Sequence, residues 1–468
     1  MKKKWMIAVP IAAVIALALI LIIVDSAKKT SNTDHSADSA PTVSLSDSDV
    51  KDVTGETEHA LITLSGSTGT ISDETRGTSG NEVTITSKGI YRVTGSSDGV
   101  SIVIDDSTES GTVYLILDNV TMANDATALI HVTAADKTVI QLVGENVLTL
   151  TAKSASDSVD GAIFSKDDLT INGSGSLHVN STLHGIVGKD EVRLTGGTIS
   201  VQCSGRGIEV NDALLVTDGT HTVEARDDAI HSEGSVTVNG GSVTLSTNDD
   251  GIHADGVLSI LGGTVAVLKS YEGFEAETVA VYGGTVSVTS SDDGINAAGG
   301  SDTSSTEKTP WSSSASTGTI TISGGDVYVS AQGDGVDSNG SIYVTGGVLI
   351  VEGPTAAGNG SLDVGDGANC VASITGGTVL AIGSAGMAVN FSAGTQCSGL
   401  VSLSGDAGTT ITVSDGFSFT TSKSFQTVVY SAPTMTKGNT YTITAGSAST
   451  TMDFTSDLYY SEIQGRRF

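Results

Sequence analysis

Basic side chains are scarce in this chain. Lys and Arg number 22 against 53 Asp and Glu, a formal net charge of −31. A phosphate backbone needs a basic footprint, so nucleic acid is excluded as a partner. Cysteine is scarce too: Cys203, Cys370 and Cys397 are too few for a disulfide framework. They read as buried small hydrophobes, with a Cys370–Cys397 pair on nearby coils as the alternative. Aromatic residues make up 4%, which argues against broad stacking on neutral sugars. Helical periodicity is missing outside the N-terminus. No Ser/His/Asp order, zinc spacing or phosphate loop appears, and Gly173-Ser174-Gly175 reads as a β-turn.

What is abundant is glycine, 58 residues of it, set among Val, Thr, Ser and Ile. Without a collagen period this means many short strands and tight turns. One pattern recurs: an acidic pair or its remnant, a small residue, an apolar anchor, a polar residue, a strand, a Gly-Gly turn and a second strand. The anchors Ile186, Ile208, Ile230, Ile252, Phe274 and Ile295 are spaced by 22, 22, 22, 22 and 21 residues. Ile163 precedes them by 23, and Val336 follows after 41, one period plus an insertion. Such self-similarity implies stacked units, none able to bury its apolar face alone. Segments such as Ser235-Val236-Thr237-Val238 alternate apolar with Ser or Thr, so each strand has one buried face. A period near 22 is too short for a propeller blade, and no leucine-rich signature is present. The expected fold is therefore all-β, a parallel β-helix, right-handed as crossovers of parallel strands generally are.

Around this solenoid the chain divides into four parts. Residues 1–25 hold Lys2-Lys3-Lys4 and then an apolar run at 5–24. Twenty residues span roughly 30 Å as a helix, enough for a bilayer core. The run ends without a small-residue cleavage site, so an uncleaved signal-anchor is expected, with secretion as the outcome if it is cut. The lysine excess before the run places the N-terminus in the cytoplasm and the bulk of the chain outside. Residues 26–56 read as a flexible stalk, 57–390 as the β-helix and 391–468 as a β-strand cap over its open end. The Ser/Thr-rich insertion at 298–317 carries Trp311. That residue is either a stacking platform for a sugar ring or an incidental loop-tip side chain.

Aligning the units on the anchor exposes a column of acids. Two residues before it stand Asp228, Asp250, Glu272, Asp293 and Asp334; three before it stand Asp227, Asp249, Tyr271, Asp292 and Gly333. After it stand His231, His253, Glu275, Asn296 and Asp337. Stacked coils would bring these carboxylates to about 5 Å spacing. Each such pair repels by roughly 3–4 kcal/mol at an effective dielectric of about 20. Ca²⁺ takes oxygen ligands and would relieve the repulsion. The candidate ligands are Asp227, Asp228, Asp249, Asp250, Glu272, Asp292, Asp293, Asp334 and Asp337. His231, His253, Glu275, Asn296 and Trp311 are candidates for lining the ligand site. The competing reading is a structural ladder in which each carboxylate accepts backbone N–H bonds in its turn. His184 and Arg206 fill the acidic slot in earlier coils, so the column should begin near Asp227. The runs Lys166-Asp167-Asp168 and Lys189-Asp190-Glu191 read as capping and turn chemistry. Arg206, Arg226 and Lys269 are the only candidates for a proton-abstracting base.

The runs KDDLTINGSGSLHVN, HGIVGKDEVRLTGGTISV and DDGIHADGVLSILGGTV resemble a family of bacterial surface carbohydrate-binding β-helix proteins. The likeness extends from about Thr57 to the C-terminal strands. It implies a pectate-lyase-like fold, calcium binding, and binding of acidic plant polysaccharide such as polygalacturonate, and of cellulose. The chain departs from the family pattern at His184, at Arg206 and in the insertion bearing Trp311. The expected function is calcium-dependent binding of acidic polysaccharide by a monomer at the cell membrane. A polysaccharide lyase using Arg206 or Arg226, and a non-enzymatic adhesin or spacer, are the alternatives.

Overall fold

The structure is a computed structural model that describes residues 40–108, 111–154, 159–298 and 318–462. Among them, no helix is long and apolar enough to cross a membrane. The apolar run at 5–24, Trp311 and the tail at 463–468 lie outside the described residues.

The repeat becomes three stacks of parallel strands. On the first face Ile208, Ile230, Ile252, Phe274, Ile295 and Val336 pair in register from coil to coil. On the second, Leu214, Val236, Leu258, Val279, Ile320 and Ile342 do so. On the third, Val223, Leu245, Val267, Val288, Val329 and Val351 do so. All of these side chains are buried, so the core is a rod of aliphatic ladders running along the stack. The long gap between Ile295 and Val336 does not break the ladder, because the two anchors are direct partners.

Two kinds of glycine shape each coil. The second glycine of each Gly-Gly pair turns the corner between the second and third faces. Gly263, for example, has φ +78°, a left-handed conformation open to glycine at no steric cost. A Cβ there would also sit 2.7 Å from the backbone of the coil below. The small residue before each anchor answers a different constraint. At Gly251 a Cβ would lie 2.5 Å from the carbonyl oxygen of Gly273 on the next coil. That close backbone approach draws the acidic residues on either side of neighbouring coils together.

The first coils follow the same parallel pairing, with Ala60–Gly66 also forming an antiparallel hairpin with Thr68–Ile71 at the solenoid's start. At the far end Phe425–Ser431 runs antiparallel to the last coil strand, Ala372–Gly383, and to Ser398–Gly405. A four-stranded antiparallel sheet spanning residues 410–453 completes a second core that includes Ile411, Phe425, Tyr430, Met452 and Phe454. Cys203, Cys370 and Cys397 are free thiols; Cys203 and Cys397 are buried, whereas Cys370 is partly exposed.

Over 40–56 the structure differs from the stalk that composition suggests. This segment lies on the second face and includes a one-turn helix, Asp47–Val50. Asp49 is buried and forms an ion pair with Lys137; Thr170 Oγ1 donates to its carboxylate at 2.6 Å. Asn172 Nδ2 and Thr195 Oγ1 donate to the Asp49 carbonyl. Val53 N donates to Gln141 Oε1, and the Val53 side chain packs with Ile90 and Ile116. A polar segment can dock without an apolar stripe when its backbone groups meet a row of side-chain partners on successive coils.

Candidate functional site

The residue after each anchor is carried by the first-face strands. Glu209, His231, His253, Glu275, Asn296, Asp337 and Asp363 are consecutive partners there. The acids two residues before the anchor flank this row, so the two sequence positions merge into one seam. The seam contains the residues the spacing selects and extends one coil further at each end, to Glu209 and Asp363.

Its upstream end is neutralised by bases. Glu209 Oε1 accepts from Lys189 Nζ at 2.8 Å, and Glu209 lies 3.6 Å from His184 and 3.8 Å from Arg206. Burial works against the Glu209 carboxylate, but the bond from Lys189, with Arg206 close by, prevails and holds its pKa below the ordinary value. Arg206 Nε also stands 3.5 Å from Asp228 and 3.8 Å from Asp227. Arg206 therefore closes the acidic seam rather than standing free as a base. Lys269 Nζ donates to Asn248, and Arg226 is exposed.

The middle of the seam mixes imidazoles with carboxylates. His231 and His253 stack with ring centroids 4.7 Å apart and planes 14° from parallel. His231 Nδ1 is 2.9 Å from Asp228 Oδ2. His253 Nδ1 is 3.1 Å from Glu275 Oε2 and 3.4 Å from Asp250 Oδ2, while its Nε2 is 3.1 Å from Asp255 Oδ1. Burial opposes the imidazolium of His253, yet Asp250 and Glu275 outweigh it and push its pKa up to about 11. Burial, with Glu275 and Asp228 nearby, pushes Asp250 up to about 8 against the pull of His253. Glu272 is pushed up to about 9 by burial and by the charges of Glu275 and Asp250, and Asn296 Nδ2 donates to it at 2.9 Å.

The downstream end offers oxygen alone. Carboxylate oxygens of Asp293, Asp334 and Asp337 lie within 4.8 Å of one another. Burial raises Asp334 to about 7, helped by the charges of Asp293, Asp337 and Asp363. Burial raises Asp337 to about 7 as well, with Asp293 and Asp363 adding to it. Among the described residues no salt bridge reaches Asp334, Asp337 or Asp363 from a Lys, Arg or His side chain. The donor set and the raised carboxyls fit a hard divalent cation, which would replace the protons.

Backbone bonds account for part of the ladder. Asp228 Oδ1 accepts from Asp250 N, Asp250 Oδ1 from Glu272 N, and Asp293 Oδ1 from Asp334 N. Each of these acids thus caps the turn of the next coil with one oxygen. Asp227, Asp228 and Asp249 also offer oxygens within 4.8 Å. Asp292 borders the seam beside Tyr271, whose hydroxyl it accepts; that bond and burial push Tyr271 up to about 12.

Comparison with known proteins adds a likeness in family. Residues 79–309 match the model of a family described as "Carbohydrate-binding domain-containing protein". A curated relative of that description from Acetivibrio thermocellus is 35% identical over 129 residues, which is 26% of this chain and 45% of the relative. The match thus spans less than half of the relative's length. A solved structure, described as the polysaccharide lyase-like protein from C. thermocellum in a gadolinium derivative, is 24% identical. It aligns with a TM-score of 0.40 over 61% of this chain and 96% of that one. The matched stretch at 79–309 contains the seam from Glu209 to Asn296; Asp334, Asp337 and Asp363 lie beyond it.

Proposed function

We propose that this chain is a carbohydrate-binding protein that holds acidic, uronate-containing polysaccharide through Ca²⁺, at the outer face of a membrane in which 5–24 anchors it. The observation that carries the reading is the oxygen-only end of the seam, Asp293, Asp334 and Asp337, with ligand atoms gathered within 4.8 Å. Asp334, Asp337 and Asp363 all have raised carboxyls. Ca²⁺ takes six to eight oxygens at about 2.3–2.6 Å. These aspartates supply only some of that number, leaving positions for a uronate carboxylate. An ion shared in this way reconciles a net charge of −31 with an anionic ligand that would otherwise be repelled. The family match over 79–309 supports carbohydrate as the ligand class. Arg206, tied to Glu209, Asp227 and Asp228, gives no support to a lyase.

The test is a pull-down of the full-length chain on polygalacturonate with Ca²⁺, with EDTA, and with Ca²⁺ restored. Retention should require Ca²⁺ and fall at least tenfold in D334N/D337N. Equal retention with and without chelator would end the reading. Unsaturated uronate product, detected by its ultraviolet absorbance, would instead point to a lyase.

A further inference from the structure

We propose that the middle of the seam is a second metal site of a different kind, built for a divalent transition ion of the Zn²⁺ class by Asp250, His253 and Glu275. It goes beyond the carbohydrate reading, which uses only the oxygen-only end. Three atoms able to ligate a metal converge: His253 Nδ1 lies 3.4 Å from Asp250 Oδ2 and 3.1 Å from Glu275 Oε2. Two ligands about 2.0 Å from a tetrahedral ion stand about 3.3 Å apart, so the spacing suits one ion with little movement. The second observation is the other ring nitrogen. Asp255 Oδ1 lies 3.1 Å from His253 Nε2, placed to accept its hydrogen, so that Nδ1, held between the two carboxylates, is the nitrogen an ion would take in exchange for its proton. A carboxylate behind a histidine is how metal-binding imidazoles are fixed in tautomer and orientation.

The donor chemistry separates this site from the downstream one. An imidazole nitrogen is a poor partner for Ca²⁺ and suits Zn²⁺, Co²⁺ or Ni²⁺. All three ligands are buried: relative side-chain exposure is 1% for His253, 6% for Asp250 and 10% for Glu275. His231, stacked on His253 with Asp228 behind it, forms an adjoining triad within 4.8 Å that shares His253. Three protein ligands leave a fourth position for water. No linear zinc motif announces the site, because Glu275 is contributed by the coil after the one that carries Asp250 and His253.

The experiment uses the full-length chain stripped with EDTA and titrated with Co²⁺. Visible d–d bands of tetrahedral intensity should appear with a single equivalent. Zn²⁺ should quench them, whereas a large excess of Ca²⁺ should not. H253N should abolish the bands. D255N, which keeps all three ligands and changes a partly exposed side chain, should weaken Co²⁺ affinity about 10–100-fold. Absent bands in the unmodified chain, bands that survive H253N, or bands displaced by Ca²⁺ would each overturn the proposal. Bands without Ca²⁺-dependent retention on polygalacturonate would count against the carbohydrate reading alone. Retention without bands would count against this site alone.

Discussion

At the scale of single residues, the seam stores protons that the unfolded chain would release. Asp250, Glu272, Asp334 and Asp337 have pKa values raised to between about 7 and 9. A carboxyl raised in the folded state contributes stability that is complete below its unfolded value and is lost as pH rises through the folded one. In EDTA, thermal stability should therefore fall steadily from about pH 5 to pH 9. His253, raised to about 11, adds a loss of the same sign at the alkaline end. Saturating Ca²⁺ should offset the part that belongs to Asp334 and Asp337 by taking the place of their protons. Differential scanning calorimetry at pH 5 and pH 8, with and without Ca²⁺, checks this; equal stability of the metal-free chain at both pH values would contradict it. D334N should flatten the slope in EDTA and forfeit the Ca²⁺-dependent gain. Most of the seam was legible from the spacing, since a fixed offset from each anchor names its residues. Glu209 and Asp363 were missed for a reason. The residue two before the anchor is Arg206 in the Glu209 coil, and Asp363 follows a coil of irregular length. Extending the alignment at the position after the anchor would have found both. Asp255 stands three after its anchor, as Glu233 and Glu277 do in the neighbouring coils, and only the fold reveals that it is the one that meets an imidazole.

At the scale of elements, corners and the docked N-terminal segment obey different rules. Gly263 turns with φ +78° in a site where a Cβ meets backbone at 2.7 Å. Gly263→Ala should cost at least about 2 kcal/mol, the sum of left-handed strain and displaced backbone, read as a lower urea midpoint. Gly-Gly pairs were legible as corners because no other residue serves that conformation as cheaply. The docked segment was not legible, because its composition is that of a linker. It is held by Asp49, buried with Lys137, and by side chains from three coils. Burial works against the Asp49 carboxylate, but Lys137, Ser46 and Thr170 hold its pKa down at about 2. Its contribution is thus present above the usual carboxylate range and lost as pH falls toward 2. Asp49→Ala leaves the Lys137 ammonium without its partner. Removing one member of a buried pair typically costs about 3–5 kcal/mol, and undocking caps the cost here. The expected outcome is faster hydrogen exchange and proteolysis confined to 40–56, with the solenoid strands unchanged. Global unfolding in step with the segment would show instead that the solenoid depends on it.

At the scale of the whole molecule, stacking turns a periodic sequence into a one-dimensional charge array. The period made the parallel coils and their single rod-like core legible, and the break in alternation after Asn390 marked where another kind of sheet takes over. It could not say which acids the protein itself neutralises, because Lys189 and Arg206 stand at repeat positions that carry acids in later coils, and only the fold shows that they pair with Glu209, Asp227 and Asp228. That division has a consequence for ligand binding. With a net charge of −31, approach of a polyuronate is opposed over a Debye length of about 10 Å at 0.1 M salt. Adding NaCl alone screens this repulsion but creates no attraction, so in EDTA retention should stay absent as salt is raised. With Ca²⁺ the contact is short-range coordination among half-buried carboxylates, and retention should persist at salt concentrations that abolish long-range fields. Mg²⁺ demands near-octahedral geometry at about 2.0–2.1 Å and sheds water reluctantly, so it should substitute poorly at a site made of aspartates from successive coils. A retention series across NaCl, Ca²⁺ and Mg²⁺ separates these terms. Binding that grows with NaCl in EDTA, or that Mg²⁺ supports as well as Ca²⁺, would mean that screening rather than coordination joins polymer to protein.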